Sequence, residues 1–464
     1  MTPPARTERH PVRIVHLGLG AFHRAHQAWY TQRANDASSD GASGDGGWGI
    51  AAFTGRSPRA AEALAAQDAV YTLVERGPES DTATLIQSLT VVADGADGER
   101  WRAAMADPAV AVVTLTVTEA GYRPDAAALD ADLAALRAGG AAATAPGRLV
   151  DGLRARRAAG SPRLAIVSCD NLPDNGAVTR EAVLGLAARV DQDLAAWIDG
   201  EISFVSTMVD RITPATTDAD RATVEQLTGF DDAAPVVTEP FSEWVLSGEF
   251  PAGRPAWDAV GAQFVSDVEP FERRKLWLLN AGHSLLAYLG LLRGHTTIAE
   301  AMADPACADA LEALWSEART ELPFDEEAVD AALAALRDRF TNARIEHRLA
   351  QIATDGSQKL GPRILDPLRS RLDAGRAPGV AQAGAIAAWI RHLLGGAYRD
   401  PGAEALAARL GELSDDEDLA TEAMRALAPG VTGLEPVIAL IRDQLGALRA
   451  TTTILTTEPQ RGAH

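Results

Sequence analysis

The run Val12-Arg13-Ile14-Val15-His16-Leu17 is short, apolar and β-branched, and it stops on Gly18-Leu19-Gly20. Residues 21–33 then have helical composition. Strand, glycine turn and helix in that order constrain the fold more than any other feature. A strand of this texture is stable when both its faces are covered, as in a parallel sheet, and glycine lets the chain turn sharply at its end. Segments 48–54, 109–117, 164–168 and 202–208 repeat the texture, with alanine-rich helical stretches between them, such as 126–137 and 180–197. Alternation of this kind predicts an α/β fold, a Rossmann-type doubly wound sheet. Residues 35–47, NDASSDGASGDGG, read as a solvated loop inserted between the first helix and the second strand.

From about residue 270 strand candidates become scarce. Ala/Leu-rich segments at 271–293, 325–339, 379–395, 402–412 and 434–449 carry helical spacing. The expected organisation is a Rossmann-type domain over 12–265 and a mainly α-helical C-terminal domain over 270–460. A length of 464 residues suits two or three domains. A hydrophobic share of 47% against 23% charged supplies a core and excludes disorder as the main state.

The formal net charge of −21 argues against a nucleic-acid partner, and no Lys/Arg cluster offsets it. Two cysteines, Cys169 and Cys307, exclude a disulfide scaffold and a thiolate-rich metal site. No apolar run approaches eighteen residues, so no membrane span is expected and the chain reads as cytoplasmic.

Gly18-Leu19-Gly20-Ala21-Phe22-His23 holds two of the three glycines of G-x-G-x-x-G, with His23 in place of the third. Glycines here let the backbone approach a pyrophosphate. Gly18, Gly20, Phe22, Arg24 and, beyond the second strand, Arg56 are therefore assigned to a dinucleotide cofactor. His23 and His26 lack an evident third ligand, so no metal is expected. The second strand runs into Gly55-Arg56-Ser57 without the terminal carboxylate that usually selects NAD. Arg56 would grip a 2′-phosphate or stack on an adenine.

Within Phe271-Glu272-Arg273-Arg274-Lys275-Leu276-Trp277-Leu278-Leu279-Asn280-Ala281-Gly282-His283, a regular helix sets His283 at about 80° and Asn280 at about 140° from Lys275. A lysine, an amide and an imidazole on one arc among apolar residues either serve chemistry or satisfy neighbouring carbonyls. Polar residues also close three predicted strands: Ser168-Cys169-Asp170-Asn171, Met208-Val209-Asp210-Arg211 and Thr116-Val117-Thr118-Glu119. Ligands gather at such strand ends in doubly wound sheets. Cys169 has no activating partner in sequence and is not read as a nucleophile.

The motifs GLGAFHRAHQ, TLTVTEAGY, SCDNLPDNG, STMVDRITP, PFERRKLWLLNAGHSLLAYLG and ATDGSQKL, in that order, resemble the mannitol dehydrogenase family of polyol-specific long-chain dehydrogenases and fructuronate reductases. The resemblance runs from residue 12 to at least 363. It implies zinc-free hydride transfer between a nicotinamide, NAD with NADP as the alternative, and a secondary alcohol or ketone of a polyol or sugar acid. By the same resemblance Lys275 is the general base, Asn280 and Asn171 hold the oxyanion, and His283 positions the substrate. Asp210 stands beside the lysine, and Glu119 and Glu272 line a proton exit. Lys359 contacts substrate. Polyol-preferring members carry an arginine eight residues before that lysine; here the position is Gln351, as in the fructuronate reductase branch. Mannitol/fructose and mannonate/fructuronate are the leading pairs, with mannitol 1-phosphate and a non-catalytic nicotinamide sensor as alternatives. The oligomeric state is left open.

Overall fold

The computed structural model describes residues 2–39 and 46–457. The chain divides into two compact units, one up to Phe271 and one from Glu272 on. Strands of the first unit are β1 (Val12–Leu17), β2 (Gly49–Phe53), β3 (Tyr71–Arg76), β4 (Asp81–Ile86), β5 (Leu89–Ala93), β6 (Val112–Leu115), β7 (Leu164–Ser168), β8 (Ile202–Asp210), β9 (Val236–Thr238), β10 (Glu243–Ser247) and β11 (Gln263–Phe264). Eight of them form one sheet in the order β11-β10-β8-β7-β6-β1-β2-β5, and β4-β3-β9 form a smaller one. From β5 to β8 the large sheet is parallel. β10 joins β8 antiparallel.

Residues of β2, β6 and β7 are buried throughout, which explains their continuous apolar runs. Register aligns the C-terminal ends of four strands: Phe53 pairs with Leu17, Leu17 with Leu115, and Leu115 with Ser168. Four loops therefore leave the same edge of the sheet, at 54–56, 18–20, 116–118 and 169–171. The strand order reverses at β1, so the loops after β1 and β6 flank a topological switch point.

Several local expectations are corrected. The helix expected over 21–33 is broken into Ala21–Ala25 and Gln27–Ser39. His26, at φ −120° and ψ −87°, ends the first piece, and its Nε2 donates to the Glu243 carbonyl at 3.1 Å. The second piece runs through Ser39, so the expected loop starts late. Asn35 is buried, and its amide brackets Trp48 by accepting from the backbone N–H at 2.9 Å and donating to the carbonyl at 3.0 Å. Residues 40–45 of the insert lie outside the described residues. The helix expected over 180–197 is likewise two, Asn175–Val190 and Gln192–Glu201. Between them Asp191 is extended and caps the second helix by accepting from the Asp193 N–H. The β3–β4 hairpin, closed by a Gly77 N–H to Ser80 carbonyl bond at 3.0 Å, was not anticipated. Nor were β5, β9, β10 and β11.

The second unit is helical. Trp315, Phe340, Tyr288 and Trp389 centre its core, each burying apolar area worth roughly 1.5–3 kcal/mol. Helices Glu326–Thr341, Val380–Leu394, Glu404–Gly411 and Glu435–Thr457 fall near the expected segments. Helices Pro305–Arg319 and Asp416–Leu427 were not foreseen. Segment 271–293 is helical but not uniform. An α-helix over Glu269–Arg274 passes into a π-helical turn over Lys275–Asn280 and returns to α over Ala281–Leu292. A second π turn covers Gly361–Leu365. No helix among the described residues is long and apolar enough to cross a membrane.

Candidate active site

In the first unit the site begins at Gly18. Its φ is +109°, and a Cβ there would lie 1.9 Å from the Thr116 carbonyl oxygen, so no other residue fits. Thr116 Oγ1 donates to the Gly18 carbonyl at 2.8 Å and ties the loop after β6 to the loop after β1. Behind this turn His16 and His23 stack with ring centres 3.3 Å apart and planes 7° off parallel. Both are fully buried. Burial pushes His16 down to about 3, and burial together with its neighbour His16 pushes His23 well below the ordinary imidazole value. The pair is neutral at pH 7. The third-glycine position is thus filled by a flat, uncharged ring.

A cavity of about 740 Å³ opens at the switch point, lined by Gly18, Leu19, Arg56, Thr116, Thr118 and Arg148 among others. Its wall combines glycine, alanine and threonine residues with three arginines, Arg56, Arg123 and Arg148. The helix after Gly20 is five residues long before the His26 break, so close approach to the main chain, not a long helix dipole, is what this turn offers an anion. Arg56 is exposed on the rim. Arg148 Nη1 is held at the Gly55 carbonyl at 3.0 Å. Phe22 and Arg24, assigned to the nucleotide from sequence, are half-buried and make contacts within the first unit. Phe22 stacks on His26. Arg24 donates to the Ala234 carbonyl at 2.5 Å and lies over the Tyr71 ring.

Sequence reading missed a carboxylate near the end of β2. It comes from the neighbouring strand: Asp94, just past β5, accepts from Thr54 Oγ1 at 3.2 Å. The parallel β2–β5 pairing aligns Phe53 with Ala93 and so sets Asp94 beside Thr54; only that pairing, invisible in one dimension, reveals it.

The loop after β6 holds Thr118 at φ 68°, ψ 158°, a region that costs a non-glycine residue roughly 1–3 kcal/mol. Asp170, after β7, accepts from the backbone N–H groups of Val117 (2.8 Å) and Thr118 (2.9 Å) and from the Tyr122 hydroxyl (2.6 Å). Burial raises the Asp170 carboxyl, and these three donors partly offset it. Glu119 is exposed directly after Thr118, and Asn171 is exposed directly after Asp170. Asn175 joins the ends of β7 and β8, donating to the Asp170 and Thr207 carbonyls. Asp210 is buried at the end of β8, paired with Glu243 in β10. Burial pushes the Cys169 thiol up, in keeping with its exclusion as a nucleophile.

In the second unit Lys275 opens the π turn and Asn280 closes it. A π turn takes in one residue more than an α turn, so position i+5 comes round over position i. Asn280 therefore stands over Lys275 rather than about 140° away, as a regular helix has it. One turn further on, His283 is 6% exposed, stacked on Phe340 at 4.6 Å and met edge-on by His347 at 4.6 Å. Its Nε2 has no hydrogen-bond partner among the described residues. Burial, then His347, Arg339, Arg363 and Lys275, hold it well below the ordinary imidazole value, so it is neutral.

Arg363, on the second π turn, was missed from sequence. It donates to Ser284 Oγ at 3.0 Å and to the Asn280 carbonyl at 3.4 Å, and the two π turns pack together. Lys359 Nζ donates to the Thr354 carbonyl at 2.6 Å, and Gln351, eight residues before it, is exposed. Glu272 is half-buried on the helix leading into Lys275. Elsewhere in this unit His295, Asp304 and Cys307 converge. The guanidinium of Arg293 is bonded to Asp304 at 2.5 and 3.2 Å, and His295 Nε2 reaches the same carboxylate at 2.8 Å.

The mannitol dehydrogenase Rossmann domain matches residues 12–259, and the mannitol dehydrogenase C-terminal domain matches residues 267–421. The chain belongs to the mannitol dehydrogenase family. Within that family it is 42% identical over 398 residues to D-mannonate oxidoreductase of Escherichia coli (strain K12), covering 82% of this chain and 80% of the relative. It is 38% identical over 456 residues to D-arabinitol 4-dehydrogenase of Ralstonia nicotianae, covering 94% and 96%. Among solved structures, Pseudomonas fluorescens mannitol 2-dehydrogenase in ternary complex with NAD and D-mannitol has a TM-score of 0.79 at 34% identity, covering 99% of this chain and 97% of that one. These family members act on both neutral polyols and a sugar acid by their names, so the substrate question turns on the site.

Proposed function

We propose that this member of the mannitol dehydrogenase family is an NAD-dependent, zinc-independent oxidoreductase that interconverts an aldonate and its keto-uronate, the mannonate/fructuronate pair. The observation that carries the reading is the π turn of the second unit, which sets Lys275 under Asn280 in a neighbourhood of guanidinium groups. The first unit fits a dinucleotide: Gly18 admits close backbone approach, and the switch-point cavity is lined by main chain, Arg56 and Arg148. Bound nicotinamide supplies or accepts the hydride.

The chain's own residues do the rest. Lys275 takes the hydroxyl proton of the alcohol or returns it to the ketone oxygen. The side-chain amide of Asn280 donates to that oxygen as negative charge develops on it, the role the family resemblance also gives Asn171. His283, neutral, orients the substrate by a hydrogen bond. Glu119 and Glu272 pass the proton to water, while Lys359 and Gln351 contact the far end of the substrate.

Arg339, Arg363 and Lys275 all act on His283, and Lys359 lies in the adjoining segment. Such a setting favours an anionic substrate over a neutral one. A charge-assisted hydrogen bond contributes about 1.5–3 kcal/mol. Fructuronate or tagaturonate is therefore expected to exceed fructose and xylulose in kcat/KM by about 10- to 100-fold with NADH, read as loss of reduced-nicotinamide absorbance. Fructose ahead of the acids returns the assignment to the polyol/ketose pair, and fructose 6-phosphate ahead of both assigns the phosphorylated pair.

Cofactor choice is a separate expectation. Asp94 places negative charge near the end of β2, and Arg56 places positive charge on the rim. With the carboxylate held beside Thr54, NADH is expected to be preferred over NADPH. Arg56→Ala is expected to weaken NADPH use more than NADH use. A wild-type preference for NADPH above about tenfold, worth ~1.4 kcal/mol, that collapses in Arg56→Ala would assign Arg56 to a 2′-phosphate and overturn the choice of NAD.

A further inference from the structure

Thr118 is exposed, is not glycine, and still occupies a backbone region that glycine alone enters freely. Something must hold it there. Asp170 bonds the N–H of the peptide before Val117 and the N–H of the peptide after it. With both peptides fixed, the reversal that leads into helix Glu119–Tyr122 falls on φ of Thr118. Tyr122, at the far end of that helix, returns its hydroxyl to the same carboxylate. A single half-buried side chain on the β7 loop thus clamps both ends of a segment on the β6 loop. The segment lines the switch-point cavity through Val117, Thr118, Ala120 and Gly121, and Asp170 itself is anchored through its carbonyl by the buried amide of Asn175.

We propose that Asp170 is a positioning residue for nucleotide binding: its carboxylate holds Val117 and Thr118 in the one backbone path that shapes the cavity wall beside Gly18. This rests on the functional reading above, since it takes the cavity to be the nucleotide site. An ordinary cap would serve the helix alone and would not need the strained conformation at Thr118. An unstrained glycine at 118 would take the same path among many others. Threonine with a carboxylate clamp takes it alone, so the wall is formed before the ligand arrives.

The test is NADH binding followed by protein-fluorescence quenching, without any sugar present, in the wild type, Asp170→Asn, Tyr122→Phe, and the double variant Asp170→Asn/Thr118→Gly. Asparagine keeps the volume and one acceptor but loses the two-oxygen clamp. Asp170→Asn is expected to raise the NADH Kd about tenfold or more, and Tyr122→Phe to raise it less. Adding Thr118→Gly to Asp170→Asn is expected to recover a large part of the affinity, because glycine reaches the required conformation without the clamp. A role in folding alone predicts the opposite, since a second glycine in a weakened loop lowers stability further. The melting midpoint of each variant shows which are folded, and Tyr122→Phe, which loses one bond only, serves if Asp170→Asn does not fold. Wild-type NADH affinity in folded Asp170→Asn overturns the proposal. So does a double variant no better than Asp170→Asn alone. A wild-type chain that leaves NADH unbound overturns the functional reading and this proposal together, whereas binding without turnover of any ketose overturns the functional reading only.

Discussion

Lys275→Ala is expected to lower turnover by about 10²- to 10⁴-fold, the usual contribution of a positioned acid–base group, while leaving NADH affinity little changed. The argument starts from placement. Lys275 is half-buried at the first position of the π turn, with Asn280 standing over it and His283 one turn on. A lysine acts as a base only when its proton is readily lost. Alanine preserves the helix, being its best former, so the loss belongs to the amine and not to the scaffold. Primary amines added to the medium are expected to restore part of the rate in Lys275→Ala, and Lys275→Arg is expected to remain slow, because guanidinium does not give up its proton. Unchanged turnover in Lys275→Ala removes the residue from the mechanism.

Asn280→Ala is the second large effect, a loss of about 10²- to 10³-fold that falls on kcat more than on KM. The side-chain amide is a donor whose value grows as charge moves onto the substrate oxygen, so its absence is felt most at the transition state. Its position is well defended: Arg363 bonds the Asn280 carbonyl and Ser284, fixing the backbone that carries the amide. Single-turnover rates with saturating ketone measure the chemical step directly. A variant that raises KM and leaves the single-turnover rate intact makes the amide a ground-state binder instead.

Legibility in the sequence followed burial. β1, β2, β6, β7 and β8 were readable because parallel strands covered on both faces need unbroken β-branched runs, and Gly18 was readable because only glycine survives against the Thr116 carbonyl. Strand β4, with exposed polar residues, carried no such pattern. The helix breaks at His26 and Asp191 escaped because alanine-rich sequence on both sides supports either one helix or two. His26 breaks its helix through a tertiary bond to Glu243, 217 residues away in sequence. At the site, Lys275, Asn280 and His283 were found from residue types, but their true phase was not. A π turn is a matter of backbone bonding and leaves no compositional mark. Asp94 and Arg363 depended on which strand or turn became a neighbour, and Asp170 read equally well as a helix cap.

A π turn amounts to one residue more than a regular helix of that length requires. The helix running from 269 to 292 is therefore out of step with itself, following one winding before Lys275 and another after Asn280. Residues 281–288 are buried on all sides and pinned in the core. Winding the same residues as regular α-helix would swing everything on the N-terminal side through about 100°, carrying Lys275 off its line with Asn280. The helix would come out more regular and better hydrogen-bonded, and blind to its substrate. A chain one residue shorter between 275 and 280 would instead reach the same alignment by an ordinary i, i+4 turn, so the extra residue and the π turn should be gained or lost together.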